Sequence, residues 1–280
     1  MNAIQFHHSG VGLRAAAVLA LGCALAFGAA RSAMAAEADD PWPDLARDTF
    51  SGHPLNNGTG LIAIEMPARA EDAAIVPVTL RATLPAGDTR TLNAFTLVID
   101  ENPAPVAATF KVGIGVTTIS TRVRVNSYTN VHAVAELSDG QLYVVQTYVK
   151  ASGGCSAPMA KNADEAKASL GQMRLRLFAK QSDGPASGLR EAQIMVRHPN
   201  NSGLQRDQVS LLYIPLFIVR ELRVWQGDQL VLAMEGGISI AEDPNIRFSY
   251  LPNGAATFRA EAVDTDGHVF NGEWPAQPAM

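Results

Sequence analysis

Val78-Thr79-Leu80-Arg81-Ala82-Thr83-Leu84 alternates apolar and polar residues with a period of two. That period sends every second side chain of a strand to one face and the rest to the other, so one face is buried and one is wet. Residues 61–66, 92–100, 107–112, 119–126, 131–137 and 142–149 read as further strands. In 119–126, Ile119, Val123 and Val125 form the apolar set, and Ser120, Arg122, Arg124 and Asn126 form the water-facing set. Turn signals separate the runs: Pro85-Ala86-Gly87-Asp88, Glu101-Asn102-Pro103 and the hairpin dipeptide Asp139-Gly140. About seven short strands without a long helix suit an immunoglobulin-like antiparallel sandwich.

The pattern returns further along. Met173, Leu175 and Leu177 alternate with Arg174 and Arg176, and Ala256, Phe258, Ala260 and Ala262 alternate with Thr257, Arg259 and Glu261. Residues 189–196, 229–234, 246–250 and 269–274 are also strand-like, with turns at Ser182-Asp183-Gly184-Pro185, Pro252-Asn253-Gly254 and Asp266-Gly267. The apolar stretch 211–225 contains Pro215 and is expected as two strands with a bend. Short helices are expected near 40–48 and 162–170, the second opened by Asn162 and Glu165 as a capping pair. The fold class is therefore all-β: two immunoglobulin-like sandwiches, 36–150 and 171–280, joined by a Gly/Cys-bearing linker, 151–170.

Apolar residues make up 47% of the 280-residue chain and charged residues 18%, which excludes wholesale disorder. The net charge of −5 argues against a nucleic-acid-binding face. Residues 1–35 read as an export leader. Arg14 precedes the apolar run 15–30, and Ala33-Met34-Ala35 supplies the small residues of a cleavage site, placing the cut after Ala35. The run is too short for a membrane span, which needs roughly 20 residues. A lipid attachment at Cys23 fits poorly, because Ala20-Leu21-Gly22 is a weak match and little of the run precedes the cysteine. The leader takes two of the 22 basic residues and no acidic ones, so 20 basic face 27 acidic residues and the net charge becomes −7. The chain is therefore expected to be exported, with no membrane attachment once the leader is removed.

After leader removal one cysteine remains, Cys155, in Ala151-Ser152-Gly153-Gly154-Cys155-Ser156-Ala157-Pro158. An exported chain with one cysteine cannot close an internal disulfide, so that thiol is buried and inert, paired with another molecule, or reactive. Gly153 and Gly154 free the backbone beside it. The thiol is expected to be exposed on a flexible arm, reaching about 15 Å from either sandwich. The competing reading is an incidental cysteine packed where the two blocks meet.

His53, His132, His198 and His268 show no metal-ligand spacing, and no glycine-rich phosphate loop or haem-attachment pair is present, so no metal or cofactor is expected. A Cys155–His132 or Cys155–His198 catalytic pair would need fixed geometry that a loose linker lacks. Asn57-Gly58-Thr59 and Asn200-Asn201-Ser202 read as turn residues, and Trp42, Trp225 and Trp274 as packing groups.

Gly153-Gly154-Cys155 after a seven-strand block resembles SoxY, the sulfur-carrying subunit of periplasmic sulfur oxidation. Trp42 with Phe50-Ser51-Gly52 and Ile75-Val76-Pro77-Val78 resembles its opening. Met173-Arg174-Leu175-Arg176-Leu177, Val196-Arg197-His198-Pro199, Tyr213-Ile214-Pro215 and Asp264-Thr265-Asp266-Gly267 resemble its partner SoxZ. The chain is similar to a SoxY–SoxZ fusion, and most similar to carriers associated with quinoprotein dehydrogenases. The resemblance implies a non-enzymatic carrier: Cys155 holds a sulfur-containing intermediate through an S–S bond, and Gly153 and Gly154 form the arm. The partners it implies are periplasmic redox enzymes, either sulfur-oxidation enzymes or a quinoprotein dehydrogenase with its cytochrome. The alternative function is a non-catalytic accessory module of such a dehydrogenase. One departure stands out. In that family the arm ends the SoxY chain and glycines follow the cysteine, whereas here Ser156-Ala157-Pro158 follow and the chain continues.

Overall fold

The computed structural model describes residues 40–158, 163–178 and 188–277. The expected leader, Asn162 and the turn at 182–185 lie outside the described residues.

Helix α1 (Trp42–Thr49) carries Pro43 in its first turn, where proline's fixed φ favours a helix start. The first region then forms β1 (Leu55–Asn57), β2 (Ile62–Glu65), β3 (Val76–Ala82), β4 (Leu92–Ile99), β5 (Val106–Val112), β6 (Thr118–Val123), β7 (Thr129–Leu137) and β8 (Leu142–Val149). Past a single 3-10 turn (Gly154–Ser156) and helix α2 (Ala163–Ala168) come β9 (Met173–Phe178), β10 (Arg190–Val196), β11 (Val219–Gln226), β12 (Gln229–Gly236), β13 (Asn245–Tyr250), β14 (Thr257–Asp264) and β15 (Val269–Pro275). The alternation translates directly into burial. Val76, Val78, Leu80 and Ala82 of β3 are buried, while Arg81 points out to Glu65.

Two departures have local causes. Leu55-Asn56-Asn57 is too short and polar to signal a strand, yet it pairs in parallel with β8. The first piece of 211–225 is not a regular strand: it is an irregular loop tied by isolated bridges Arg206–Tyr213 and Asn201–Phe217, and β11 begins only at Val219. Pro215 lacks the N–H that a strand ladder needs.

The chain is all-β, with two immunoglobulin-like halves arranged as two sheets. The larger sheet runs β1-β8-β7-β4-β5-β12-β11-β14-β15 and the smaller β2-β3-β6-β13-β10-β9. Each sheet crosses from the first half to the second through one antiparallel pair. In the larger sheet β5 meets β12, with Val112 opposite Leu232 and Phe110 opposite Met234. In the smaller sheet β6 meets β13, with Ile119 opposite Phe248. Phe95, Leu97 and Phe110 from the first half and Leu222, Phe248 and Phe258 from the second belong to one buried cluster. Edge strands that would otherwise expose unpaired N–H and C=O groups satisfy each other across the junction. The two halves therefore share backbone ladders as well as side-chain contacts.

Candidate functional site

Cys155 lies in the 3-10 turn Gly154–Ser156, between residues of the two halves. On one side the chain leaving β6 supplies acceptors: Gly153 N–H donates to Asn126 O at 2.8 Å, and Gly154 N–H to Val125 O at 3.0 Å. Gly153 has φ +78°, a left-handed conformation that favours glycine. Gly154 is needed for closeness instead. A Cβ there would sit 2.0 Å from Ala73 O and 2.6 Å from Val125 O.

The second half closes the other side. Ser202 Oγ donates to Cys155 O at 2.5 Å, and Gln205 Nε2 donates to Ala157 O at 2.8 Å. Gln205 in turn accepts from Ser202 N–H at 3.0 Å. Arg124 spans both sides. Its Nη1 donates to Gly154 O and its Nη2 to Asn200 O, each at 3.3 Å. Asn200 is itself fixed, accepting from Val219 N–H and donating to Ile240 O. Arg124 is only 1% exposed, and burial pushes its pKa below the ordinary guanidinium range.

Cys155 is 0% exposed, and its sulfur has no hydrogen-bond partner among the described residues. Burial pushes the thiol pKa from 9.0 up to about 11, although the Arg124 charge works in the opposite direction. In this arrangement the sulfur is a neutral, enclosed thiol, and the nucleophilic thiolate is not its stable form.

These observations correct two expectations. Cys155 is not exposed, and Gly153 and Gly154 do not form a loose arm. Their amides are committed to Asn126 and Val125, and the missing Cβ of Gly154 lets the turn press against Ala73. The described part of the linker is a pinned turn, as in the competing reading of a cysteine packed where the halves meet. A third correction concerns Arg124. The alternation placed it toward water, but β6 ends at Val123, so the two-residue period stops before Arg124 and the side chain turns inward.

The histidines are engaged elsewhere. His132 bonds Asp100 Oδ1 at 2.9 Å and Gln146 Oε1 at 2.7 Å, and stacks on Trp42 with ring centroids 3.5 Å apart. His198 accepts from Asn200 N–H through Nδ1 and lies 3.6 Å from Asp264, and burial lowers its pKa. His268 shares Asp264 at 2.8 Å, and His53 bonds Phe50 O. None bonds Cys155. Trp274 packs on the core and Trp225 lies under Arg259.

Ser202, Gln205 and Asn200 were not legible as site residues. Ser202, Gln205 and Asn200 lie 47, 48 and 76 positions from Cys155, Ala157 and Arg124, the residues they bond, and only Ser202 and Asn200 fall in a segment with a sequence signal, that of a turn.

Comparison with known proteins follows the same division of the chain. The family model described as sulfur oxidation protein SoxY matches residues 46–155, ending on Cys155. The model described as sulphur oxidation protein SoxZ matches 179–275. A solved structure of the sulfur carrier protein SoxY from Chlorobium limicola f thiosulfatophilum is 25% identical, with 40% of this chain and 91% of that one covered at a TM-score of 0.32. A variant of the superoxide reductase (neelaredoxin) from Ignicoccus hospitalis is 13% identical, with 39% and 90% covered at a TM-score of 0.29. No curated protein matches the chain. With one model reaching to the cysteine and the other spanning the strands beyond it, the chain carries a SoxY domain and a SoxZ domain in tandem, the make-up of a fused sulfur-oxidation carrier.

Proposed function

We propose that the protein is an exported carrier in which Cys155 covalently holds a sulfur-containing group, in transit between partner enzymes, whenever the 153–157 turn opens. The observation that carries this reading is the end of the SoxY match on Cys155, the one cysteine outside residues 1–35. In loading, the thiol loses its proton and its sulfur bonds to the terminal sulfur of an anionic sulfur compound. Forming that S–S bond releases two electrons, which a partner redox enzyme accepts. The partners are periplasmic sulfur-oxidation enzymes or a quinoprotein dehydrogenase and its cytochrome, and the chain alone has no turnover. Export through the leader ending at Ala35 supplies the compartment. Among the described residues no helix is long and apolar enough to cross a membrane.

Two features support presentation to a partner. The turn is held by hydrogen bonds, which a docking protein can replace, and its sulfur has no hydrogen-bond partner among the described residues. The segment that supplies Ser202 and Gln205 also continues into an exposed apolar loop with Leu204, Val209, Leu211, Leu212, Tyr213 and Leu216. Clustered exposed apolar side chains suit protein contact. A partner seated on that loop would pull on the residues that hold Cys155.

The burial of Cys155 favours a second reading, an accessory module whose thiol is incidental. One experiment separates the two: intact-mass analysis, with peptide mapping, of protein purified without reductant from its own cell envelope during growth on reduced sulfur compounds. Carriage predicts an added mass on Cys155 and its loss in Cys155→Ser. A bare thiol under every growth condition overturns it in favour of the accessory role.

A further inference from the structure

A cavity of about 400 Å³ opens on the outer face of the smaller sheet, where the two halves meet. Arg122 of β6, Arg174 of β9 and Arg197 just after β10 line it, together with Asn245, Gln172 and Asp243. The strand register produces this gathering: Asn245 lies opposite Met195, and Met195 opposite Arg174, in one row across three strands. Arg122 joins from the first half, donating through Nη2 to Asp243 O at 3.0 Å. The first half therefore supplies one wall residue, Arg122, and the three guanidinium groups come together only where the two halves are assembled.

Its charges are unbalanced. Among the described lining residues three guanidinium groups face one carboxylate, and that carboxylate is already committed: Arg197 Nη1 lies 2.5 Å from Asp243 Oδ2, and His198 N–H donates to Oδ1 at 3.1 Å. Arg174 has no acceptor among the described residues, and Arg122 Nε is buried without one. Asn245 uses its Oδ1 to accept from Gln193, which leaves its amide N–H groups as donors. The lining is thus rich in unused donors and positive charge within a chain of net charge −5. Guanidinium forks match the spacing of oxygens on tetrahedral anions and bind them more tightly than a point charge does.

We infer that this cavity binds a small divalent oxyanion, the class that includes sulfate, thiosulfate and phosphate. The site uses no part of the Cys155 turn, so it stands or falls independently of covalent carriage. A second role follows from its position at the seam: bound anion ties the SoxY domain to the SoxZ domain through Arg122 on one side and Arg174 and Arg197 on the other.

The test is isothermal titration of the leader-free chain with sodium sulfate, thiosulfate and phosphate, at constant ionic strength set by chloride. The expected result is one saturable site per chain for sulfate or thiosulfate, with affinity at least ten-fold weaker in Arg174→Gln. Arg174 is exposed and bonds to no described residue, so that variant should keep the wild-type urea midpoint. Asp243→Asn should bind several-fold more tightly, since it removes the opposing charge at a position whose φ of +50° asparagine tolerates. Equal binding of phosphate supports the oxyanion assignment. Absence of saturable binding for all three anions overturns it, as does unchanged affinity in Arg174→Gln. Cys155→Ser should bind sulfate like the wild type even if carriage fails.

Discussion

Ser202 Oγ donates to the carbonyl oxygen of Cys155 at 2.5 Å, linking the SoxZ domain to the residue on which the SoxY match ends. The contact holds the backbone of the cysteine, while its sulfur has no polar partner among the described residues. A buried thiol of this kind is protected by closure of its turn, and its reactivity reports how often that turn opens.

Ser202→Ala removes the donor while leaving the turn's other ties in place. A hydrogen bond of this type contributes about 1 kcal/mol net, so the open population should rise roughly five-fold. The readout is the rate of Cys155 alkylation by iodoacetamide under native conditions. An unchanged rate would show that Ser202 does not hold the turn closed.

The raised thiol pKa makes stability depend on pH in a defined direction. The unfolded chain releases the proton near pH 9, whereas the folded chain keeps it until about pH 11. The folded state therefore binds the extra proton between those values, and its stability falls as pH rises from 9 to 11. Two pKa units correspond to about 2–3 kcal/mol. Comparing urea unfolding of wild type and Cys155→Ser at pH 8 and pH 11 isolates this contribution. Parallel losses in both proteins would contradict it.

The two glycines should respond differently to alanine. Gly153→Ala places a side chain in open space but in a left-handed backbone, at a cost of about 1 kcal/mol. Gly154→Ala forces a Cβ against Ala73 O and Val125 O, at about 3 kcal/mol or more, with faster alkylation of Cys155 as the turn is displaced. Denaturant melts of both variants measure the order, and equal costs would mean that the close approach at Gly154 is unimportant.

Arg124→Met deletes the bridge between Gly154 O and Asn200 O while conserving most of the apolar stem. Two buried carbonyls lose their donor, and the cost of burying a charge is relieved. The net expectation is a loss of about 2 kcal/mol and faster thiol alkylation. A variant with wild-type stability and an equally protected thiol would show that Arg124 is not needed to close the site.

The strand-rich architecture is legible in the residue pattern, since burial in β3 follows the alternation of Val78, Leu80 and Ala82. The sequence also located the cysteine, and it carried the SoxY and SoxZ resemblances. Those features are local, because period-two patterning and turn residues act over a few positions. The state of Cys155, in contrast, depends on long-range contacts. A Gly-Gly-Cys segment between two sandwiches reads as loose until Val125 and Asn126 accept its amides and Ser202 and Gln205 reach its carbonyls. Those partners come from distant positions, and edge-to-edge pairing of β5 with β12 and β6 with β13 brings them together. The same pairing sets Arg122 beside Arg174 and Arg197. Contacts of this range depend on how two sheets register, and no short stretch of sequence encodes that.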